Sequence, residues 1–237
     1  MLGPFKTLPF QDRGVVSPLN TVPKKDSSDR RVVLDLSFPM GESVNDAIPK
    51  DSYLGIPGRL HLPSVDSLVE LVKKQGVGCL LYKRDLKKAY RQIPVDPNDV
   101  HLLCYCFEGH FYVDRVLAMG LRSACQCCQR VTDGVSFMSG QSGFDIVNYI
   151  DDMAGAEVGD RAWKAFEFLS DLLCTLGLEE SKDKACAPST SMVFLGILFD
   201  TINSTLSIPS QKIEEVSVLL EEWSNKWLLT FNAGKCK

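Results

Sequence analysis

Long apolar runs are missing from this 237-residue chain. None reaches the length that a bilayer-spanning helix needs, so no membrane partner is expected. The N-terminus Met1-Leu2-Gly3-Pro4-Phe5 lacks the charged-then-apolar order of a secretory signal. An intracellular location is the default expectation, with cytoplasm and nucleus left undistinguished. Histidine is scarce (His61, His101 and His110), and the nine cysteines include no pair of Cys-x-x-Cys clusters at zinc-module spacing. An odd cysteine count without an export signal argues for reduced thiols. Cys125, Cys127 and Cys128 read as small thiols on an apolar helix face. No strand–Gly-rich loop–helix motif is present, so nothing in the sequence supports a Rossmann or P-loop nucleotide site. Internal repeats and low-complexity segments are absent too.

Net positive charge is also lacking. The chain carries −4 at neutral pH, with a pI near 5.5, where a nucleic-acid binder usually has a basic surface. The distribution says more than the sum. Lys24, Lys25, Arg30 and Arg31 form one basic cluster, and Lys83, Arg84, Lys87, Lys88 and Arg91 another. Acid gathers elsewhere, at Glu179-Glu180, Glu214-Glu215 and Glu221-Glu222.

What is present is an ordered set of short elements. Val15 to Val22 and Arg31 to Leu36 predict a hairpin whose basic tip is Lys24 to Asp29. Ser64 caps a helix over Val65 to Lys74, with Val65, Leu68, Leu71 and Val72 inward and Gly76 and Gly78 beyond its end. Cys79 to Asp85 reads as a buried strand and Leu86 to Arg91 as a tight turn. His101 to Phe107 and His110 to Val116 form a hairpin about Glu108-Gly109. Ser123 to Phe137 is a predicted helix, followed by turns near Gly140 and Gly143. A hairpin over 144–158 comes next. Ala162, Phe166, Leu169, Leu173 and Leu176 make one apolar stripe on a helix from Asp160 to Leu176, which Gly177 stops. Met192 to Phe199 is a strand candidate. After Pro209 a last helix carries Ile213, Val216, Leu220, Trp223 and Trp227 on one side. Antiparallel hairpins with helices on one face predict an α+β fold.

Tyr149-Ile150-Asp151-Asp152 is the most telling motif. An isolated Asp-Asp favours a solvated turn. Here Ile146, Val147, Tyr149 and Ile150 give it more β-prone apolar support than an exposed turn needs. Asp85 ends the earlier buried strand. Carboxylates brought about 4 Å apart repel by a few kcal/mol at an effective dielectric near 20. Divalent cations relieve that repulsion, and oxygen-only ligands favour Mg²⁺ over zinc. Lys87, Lys88 and the backbone around them are suited to a triphosphate, and Tyr90 reads either as a residue beneath the nucleotide sugar or as a core tyrosine.

In this order the motifs resemble the catalytic core of a retroelement reverse transcriptase, over roughly Ser17 to Glu215. Ser17-Pro18, Val22-Pro23-Lys24-Lys25-Asp26 and Arg31-Val32-Val33-Leu34-Asp35 resemble the first fingers motif. Leu81 to Pro94 resembles the segment with the first catalytic aspartate. Met119-Gly120-Leu121-Arg122-Ser123-Ala124, with Gln129, resembles the lead into the helix under the active site. Leu176-Gly177-Leu178, Lys184-Ala185-Cys186 and Phe194-Leu195-Gly196-Ile197 complete the set. Asp35-Leu36-Ser37, Pro39, Gly41 and Ser43-Val44-Asn45-Asp46, with Val113-Asp114 and Val116-Leu117, look nearest to DIRS-like elements, then gypsy-type elements.

The resemblance implies a right-hand polymerase fold in which helices back an antiparallel palm sheet. Fingers would span 1–60 and 93–122, palm 61–92 and 123–208, and a truncated thumb 209–237. It implies RNA-directed DNA synthesis, extending a primer on an RNA or DNA template with dNTPs. Asp85, Asp151 and Asp152, helped by the Leu86 carbonyl, would hold two Mg²⁺ ions, for which Mn²⁺ would substitute. Lys24, Arg31, Lys87, Lys88, Ala89, Tyr90, Met119, Gly120 and Lys184 would bind the nucleotide, Tyr90 excluding a 2′-hydroxyl. Tyr149, Ile150, Phe194, Leu195 and Gly196 would meet primer and template. Cys125, Gln126, Cys127 and Cys128 stand where the family has Pro-x-x-Phe, which alters the template-side pocket. The chain reads as a piece of a retroelement polyprotein, whose other parts would include a ribonuclease H, a recombinase or an integrase. The rivals are a catalytically silent, domesticated remnant that binds nucleic acid, and an RNA-dependent RNA polymerase.

Overall fold

A computed structural model describes residues 1–10, 12–23, 28–53, 56–57 and 60–227. The chain opens with β1 (Leu2–Phe5), β2 (Leu19–Pro23) and β3 (Arg30–Leu34). β2 and β3 form the expected hairpin, Leu19 opposite Leu34 and Pro23 opposite Arg30; residues 24–27 of its tip lie outside the described residues. The strand expected from Val15 is interrupted at Pro18, which has no N–H to give a ladder. Val16 bridges to Cys104 instead.

β4 (Ser52–Tyr53) and β5 (Ile56–Pro57) pair briefly before α1 (Val65–Gln75). Ser64 Oγ accepts the Asp66 N–H at 3.1 Å, satisfying one of the helix's orphan donors. Gly76, at φ +93°, ends the helix in a conformation that a side chain disfavours. β6 (Leu80–Asp85) follows, then the hairpin β7 (Cys104–Phe107) and β8 (His110–Val113). Glu108 and Gly109 both have positive φ at its turn, as a two-residue hairpin turn requires. His101 lies in a short 3₁₀ turn, not in the strand. β1 pairs with β8, a strand that its Gly-Pro content concealed.

α2 (Ala124–Gln141) runs through Gly140, beyond the predicted end, and stops before Gly143 at φ +86°. β9 (Ile146–Tyr149) and β10 (Asp152–Glu157) form the next hairpin, and α3 (Asp160–Thr175) follows. α3 buries Ala162, Ala165, Leu169 and Leu173, while Leu176 falls past its end and is exposed. Then come β11 (Cys186–Ser189), β12 (Ser191–Phe194), β13 (Ile197–Asp200), β14 (Thr205–Ser207) and α4 (Ser210–Trp227). The single strand expected from Met192 to Phe199 is therefore a hairpin, turned at Leu195 and Gly196, which both have positive φ.

The centre is a four-stranded sheet in the order β11-β6-β10-β9, with every pairing antiparallel. Helices cover both faces, where one was expected. The reason is that β6 and β10 are apolar on both sides, so both need cover. Tyr82 and Met153 pack with Cys128 and Val135 of α2 and Leu169 and Leu173 of α3. Leu81 and Ala154 pack on the other face with Leu68 of α1 and Phe194 of β12. Leu68, Leu81, Met153, Leu169 and Leu173 are wholly buried, each such burial contributing about 1.5–3 kcal/mol. On α4, Ile213, Val216, Leu220 and Trp223 remain exposed; the Trp227 side chain lies outside the described residues.

Candidate functional site

The β6–β10 ladder places Asp152 directly opposite Asp85. Asp151 sits one residue earlier, on the turn that joins β9 to β10. Its carbonyl accepts the Leu86 N–H at 3.0 Å, tying the turn to the end of β6. Ile150 has φ +55°, a left-handed conformation that is uncommon for a β-branched residue and needs outside support. Gln129 supplies it. Its Oε1 accepts the Ile150 N–H at 2.7 Å, and its Nε2 donates to the Asn148 carbonyl at 3.0 Å.

Gln129 heads a polar stripe along α2. Thr132 accepts from Asn148 Nδ2, Ser136 donates to the Ile146 carbonyl and Ser139 donates to the Phe144 carbonyl. These residues recur at three- and four-residue spacing, so they share one helix face. That face meets β9, the edge strand, whose outer carbonyls would otherwise be unpaired. The helical spacing of Gln129, Thr132, Ser136 and Ser139 was the sequence signal for this role.

A second latch fixes Asp85. Ser181 N–H donates to the Asp85 carbonyl at 2.7 Å and Lys87 N–H to the Glu179 carbonyl at 2.9 Å. This bridge does not use the Leu86 carbonyl. Gln92 clasps the same segment, donating to the Lys87 and Glu179 carbonyls and accepting the Glu179 N–H. Behind it, the Arg84 guanidinium meets Glu180 at 2.5 Å, donates to the Phe166 carbonyl and stacks on the Phe166 ring. Burial works to raise the Glu180 carboxyl, but hydrogen bonds from Ser170 and Arg84 outweigh it and hold it below the ordinary range. Sequence reasoning had assigned Arg84 only to a basic cluster.

Two ammonium groups face the carboxylates. Lys184 Nζ lies 3.1 Å from Asp85 Oδ1, and Lys83 Nζ lies 3.5 Å from Asp152 Oδ1. Burial and the Asp85 charge push the Asp151 carboxyl up, with Lys184 and Arg31 opposing. Asp152 is pushed up by burial, opposed by Lys83 and reinforced by Asp85 and Asp151. Burial works to lower the Lys184 ammonium, but its hydrogen bond to Asp85 and the charges around it raise it.

The donor set fits a hard divalent cation. Its side-chain donors are all carboxylate oxygens, and the carboxylates disfavour one another's charge. Asp152 Oδ1 is buried and accepts no hydrogen bond. Among the described residues, no three acidic, histidine or cysteine side chains converge into a ready ligand cluster.

Beside the carboxylates opens a cavity of about 870 Å³, lined by Arg31, Leu86, Lys87, Lys88, Ala89, Tyr90, Met119, Ile150, Asp151 and Lys184. Lys88 takes φ +50° before a 3₁₀ turn over Ala89–Gln92. Lys87 pairs with Glu179. Burial and then the neighbouring Cys125 push the Tyr90 hydroxyl upward. Burial and then Asp151 push the Cys128 thiol up to about 12.

Gly120 does not line this cavity. A Cβ there would lie 2.0 Å from the Leu34 carbonyl oxygen, so its part is close packing of the loop on β3. Asn45 secures that loop, donating to the Gly120 carbonyl and accepting the Arg122 N–H. Phe194 is wholly buried in the core cluster against which Tyr149 and Leu195 pack. Lys24 lies outside the described residues.

A family model described as "Reverse transcriptase (RNA-dependent DNA polymerase)" matches residues 22–199. Among curated proteins none matches. Solved structures of the foamy viral protease-reverse transcriptase share the fold. The dRH form, in complex with double-stranded DNA, aligns with TM-score 0.68 and 18% identity over 85% of this chain. A second complex with double-stranded DNA gives 0.67 and 19% over 85%, and one with an RNA/DNA hybrid gives 0.65 and 20% over 86%. The chain spans only 32%, 38% and 25% of those three chains. With residues 22–199 matched and the polymerase fold shared, this chain belongs to the reverse transcriptase (RNA-dependent DNA polymerase) family.

Proposed function

We propose that the chain is the core of an RNA-directed DNA polymerase that extends a primer with dNTPs on an RNA or DNA template. One observation carries this reading. Asp85 and Asp152 pair across β6 and β10, with Asp151 on the adjoining turn, beside a cavity lined by Arg31, Lys87, Lys88 and Lys184. Cations beside the neighbouring carboxylates suit a substrate that carries a triphosphate.

Asp85, Asp151 and Asp152, with the Leu86 carbonyl, would hold two Mg²⁺ ions, or Mn²⁺ in their place. When bound, the ions make the primer 3′-hydroxyl a better nucleophile and stabilise the leaving pyrophosphate. The 3′-hydroxyl gives up its proton to solvent, its oxygen attacks the α-phosphorus, the bond to the bridging oxygen breaks, and pyrophosphate departs. Arg31, Lys87 and Lys88 orient the triphosphate, and Lys184 stands ready to neutralise or protonate the leaving group. Ala89 and Met119 shape the pocket, Tyr90 abuts the sugar and excludes a 2′-hydroxyl, and Gly120 holds the loop in place. Lys24 is assigned to the triphosphate by its place in the motif. Tyr149, Ile150 and the Phe194-Leu195-Gly196 turn would meet primer and template.

Fingers would comprise 1–60 and 93–122, palm 61–92 and 123–208, and thumb the chain from 209. The central sheet supports this division, because its strands come from the two palm segments alone. The Asp35-to-Asp46 motif favours a DIRS-like retrotransposon over a gypsy-type one, within a polyprotein that carries further domains.

Primer extension on an RNA template with Mg²⁺ tests the reading, with Asp151→Asn as control. Incorporation that survives the substitution removes the assigned role of Asp151. Template–primer binding without incorporation by the unaltered chain favours a silent binding module instead. Preference for ribonucleotides over deoxynucleotides favours an RNA polymerase.

A further inference from the structure

β6 carries two consecutive cations, and each has a different kind of partner. Arg84 faces α3 and pairs with Glu180 in a nearly sealed contact, the two side chains 8% and 9% exposed. Lys83 emerges on the opposite face, in line with Leu81 and Asp85. Behind it lies the core around Leu81 and Phe194. Ala154 and Cys186 flank it on the neighbouring strands. Its ammonium reaches Asp152 Oδ1 at 3.5 Å, an oxygen that is buried and accepts no hydrogen bond.

We propose that Lys83 is a built-in counter-cation of the carboxylate triad, holding Asp152 before a divalent ion arrives and setting how tightly that ion is bound. This rests on reading the triad as the metal site.

Lys184 is the obvious rival for the role, and exposure decides between them. Lys184 is 57% exposed and is free to swing away when a cation approaches Asp85. Lys83 is 19% exposed, between strands and over the core, so its charge stays in place. A divalent ion that takes Asp152 as ligand therefore competes with a cation that cannot leave. Removing that charge makes the site more negative and removes the competitor, and both effects tighten metal binding. The triad carries three formal negative charges, and Lys83 permanently offsets one of them.

The test is Mn²⁺ binding to the free protein, with no nucleic acid or nucleotide, read by the electron paramagnetic resonance signal of unbound Mn²⁺. Lys83→Met is expected to bind Mn²⁺ roughly tenfold more tightly than the unaltered chain, the scale of one partly solvated charge a few ångströms away. Lys83→Arg, which keeps the charge, is expected to stay near the unaltered value. Lys83→Gln gives a second neutral variant should Lys83→Met fail to fold, with circular dichroism reporting folding for each. Unchanged or weaker binding by a folded neutral variant overturns the proposal and leaves Lys83 as a strut that orients Asp152. No Mn²⁺ binding by the unaltered chain overturns the metal-site reading, and this inference with it. Mn²⁺ binding by the unaltered chain that is lost in Asp85→Asn, with no gain in the neutral Lys83 variants, rejects the inference alone.

Discussion

Gln129 of α2 accepts the backbone N–H of Ile150 at 2.7 Å, and through that bond a helix packed against the sheet holds the turn that presents Asp151. Replacing Gln129 by Met keeps the side chain's length and removes its polar atoms. The Ile150 N–H then loses its acceptor, at a cost of about 1–3 kcal/mol. With its support gone, the left-handed Ile150 is free to relax and Asp151 to shift. Denaturant unfolding is expected to show that loss. In primer extension, kcat is expected to fall by roughly 10–100-fold, the range for residues that orient a metal ligand. KM for dNTP is expected to change little, because Gln129 does not line the cavity beside the carboxylates, where the nucleotide is proposed to bind.

The Asp151 carboxyl is raised by burial and by Asp85, so the folded protein holds that proton to a higher pH than the unfolded chain does. A raised carboxyl contributes stability below the unfolded value, ordinarily near 4, and that contribution is lost as pH climbs through the folded value. Asn at this position carries no charge to desolvate. In chelator, Asp151→Asn is therefore expected to melt above the unaltered chain at neutral pH. The gap is expected to close as pH falls towards the ordinary carboxylate value. A gap that stays constant across this range contradicts the assignment.

The main parts of the site were legible because they follow chain-local rules. Asp85 ends a strand of buried residues, and Asp151-Asp152 interrupts two β-prone runs. The strand period then brings Asp85 and Asp152 face to face once β6 and β10 pair. What was hidden depends on residues far apart in sequence. Arg84 and Glu180 lie 96 positions apart, and nothing near Arg84 marks it as buried. Lys83 likewise looked like part of a solvated basic face. β1 and β11 were missed because each gains its pairing only from a distant strand. Leu195-Gly196 read as strand interior because its apolar neighbours masked a two-residue turn. The α2 stripe was visible in principle, but polar residues at helical spacing usually mark a solvated face, whereas here they serve an edge strand.

Gly120 has φ +107°, and a Cβ on it would meet the Leu34 carbonyl oxygen at 2.0 Å, a backbone atom that cannot step aside cheaply. Gly120→Ala is therefore expected to lose about 1–3 kcal/mol from overpacking, with backbone strain adding to it. The loop 118–122 also carries Met119 into the cavity beside the carboxylates, and the Met119 carbonyl accepts the Leu34 N–H at 3.1 Å. A rise in KM for dNTP is expected beside the loss in denaturation midpoint. Normal stability and normal KM would show that the loop can re-seat away from β3.

Arg84 and Glu180 are nearly sealed from solvent, so the pair can be separated from its parts by a double-mutant cycle. Arg84→Met leaves Glu180 as a buried charge with only Ser170 as hydrogen-bond donor, and breaking such a pair costs about 3–5 kcal/mol. Glu180→Met leaves the guanidinium with the Phe166 carbonyl and ring, which do not neutralise it. Substituting both by Met removes the desolvated charges together, and such replacements are often neutral or stabilising. Urea unfolding is expected to rank the double variant well above either single one, with a coupling energy at least as large as the loss of about 3–5 kcal/mol in the single variant. Additive losses would mean that Arg84 is held by Phe166 and its packing, not by Glu180. The double variant also separates stability from chemistry. If the pair serves to hold the 179–181 segment on Asp85, the refolded double variant keeps its stability yet loses turnover, because Ser181 is no longer fixed against the Asp85 carbonyl.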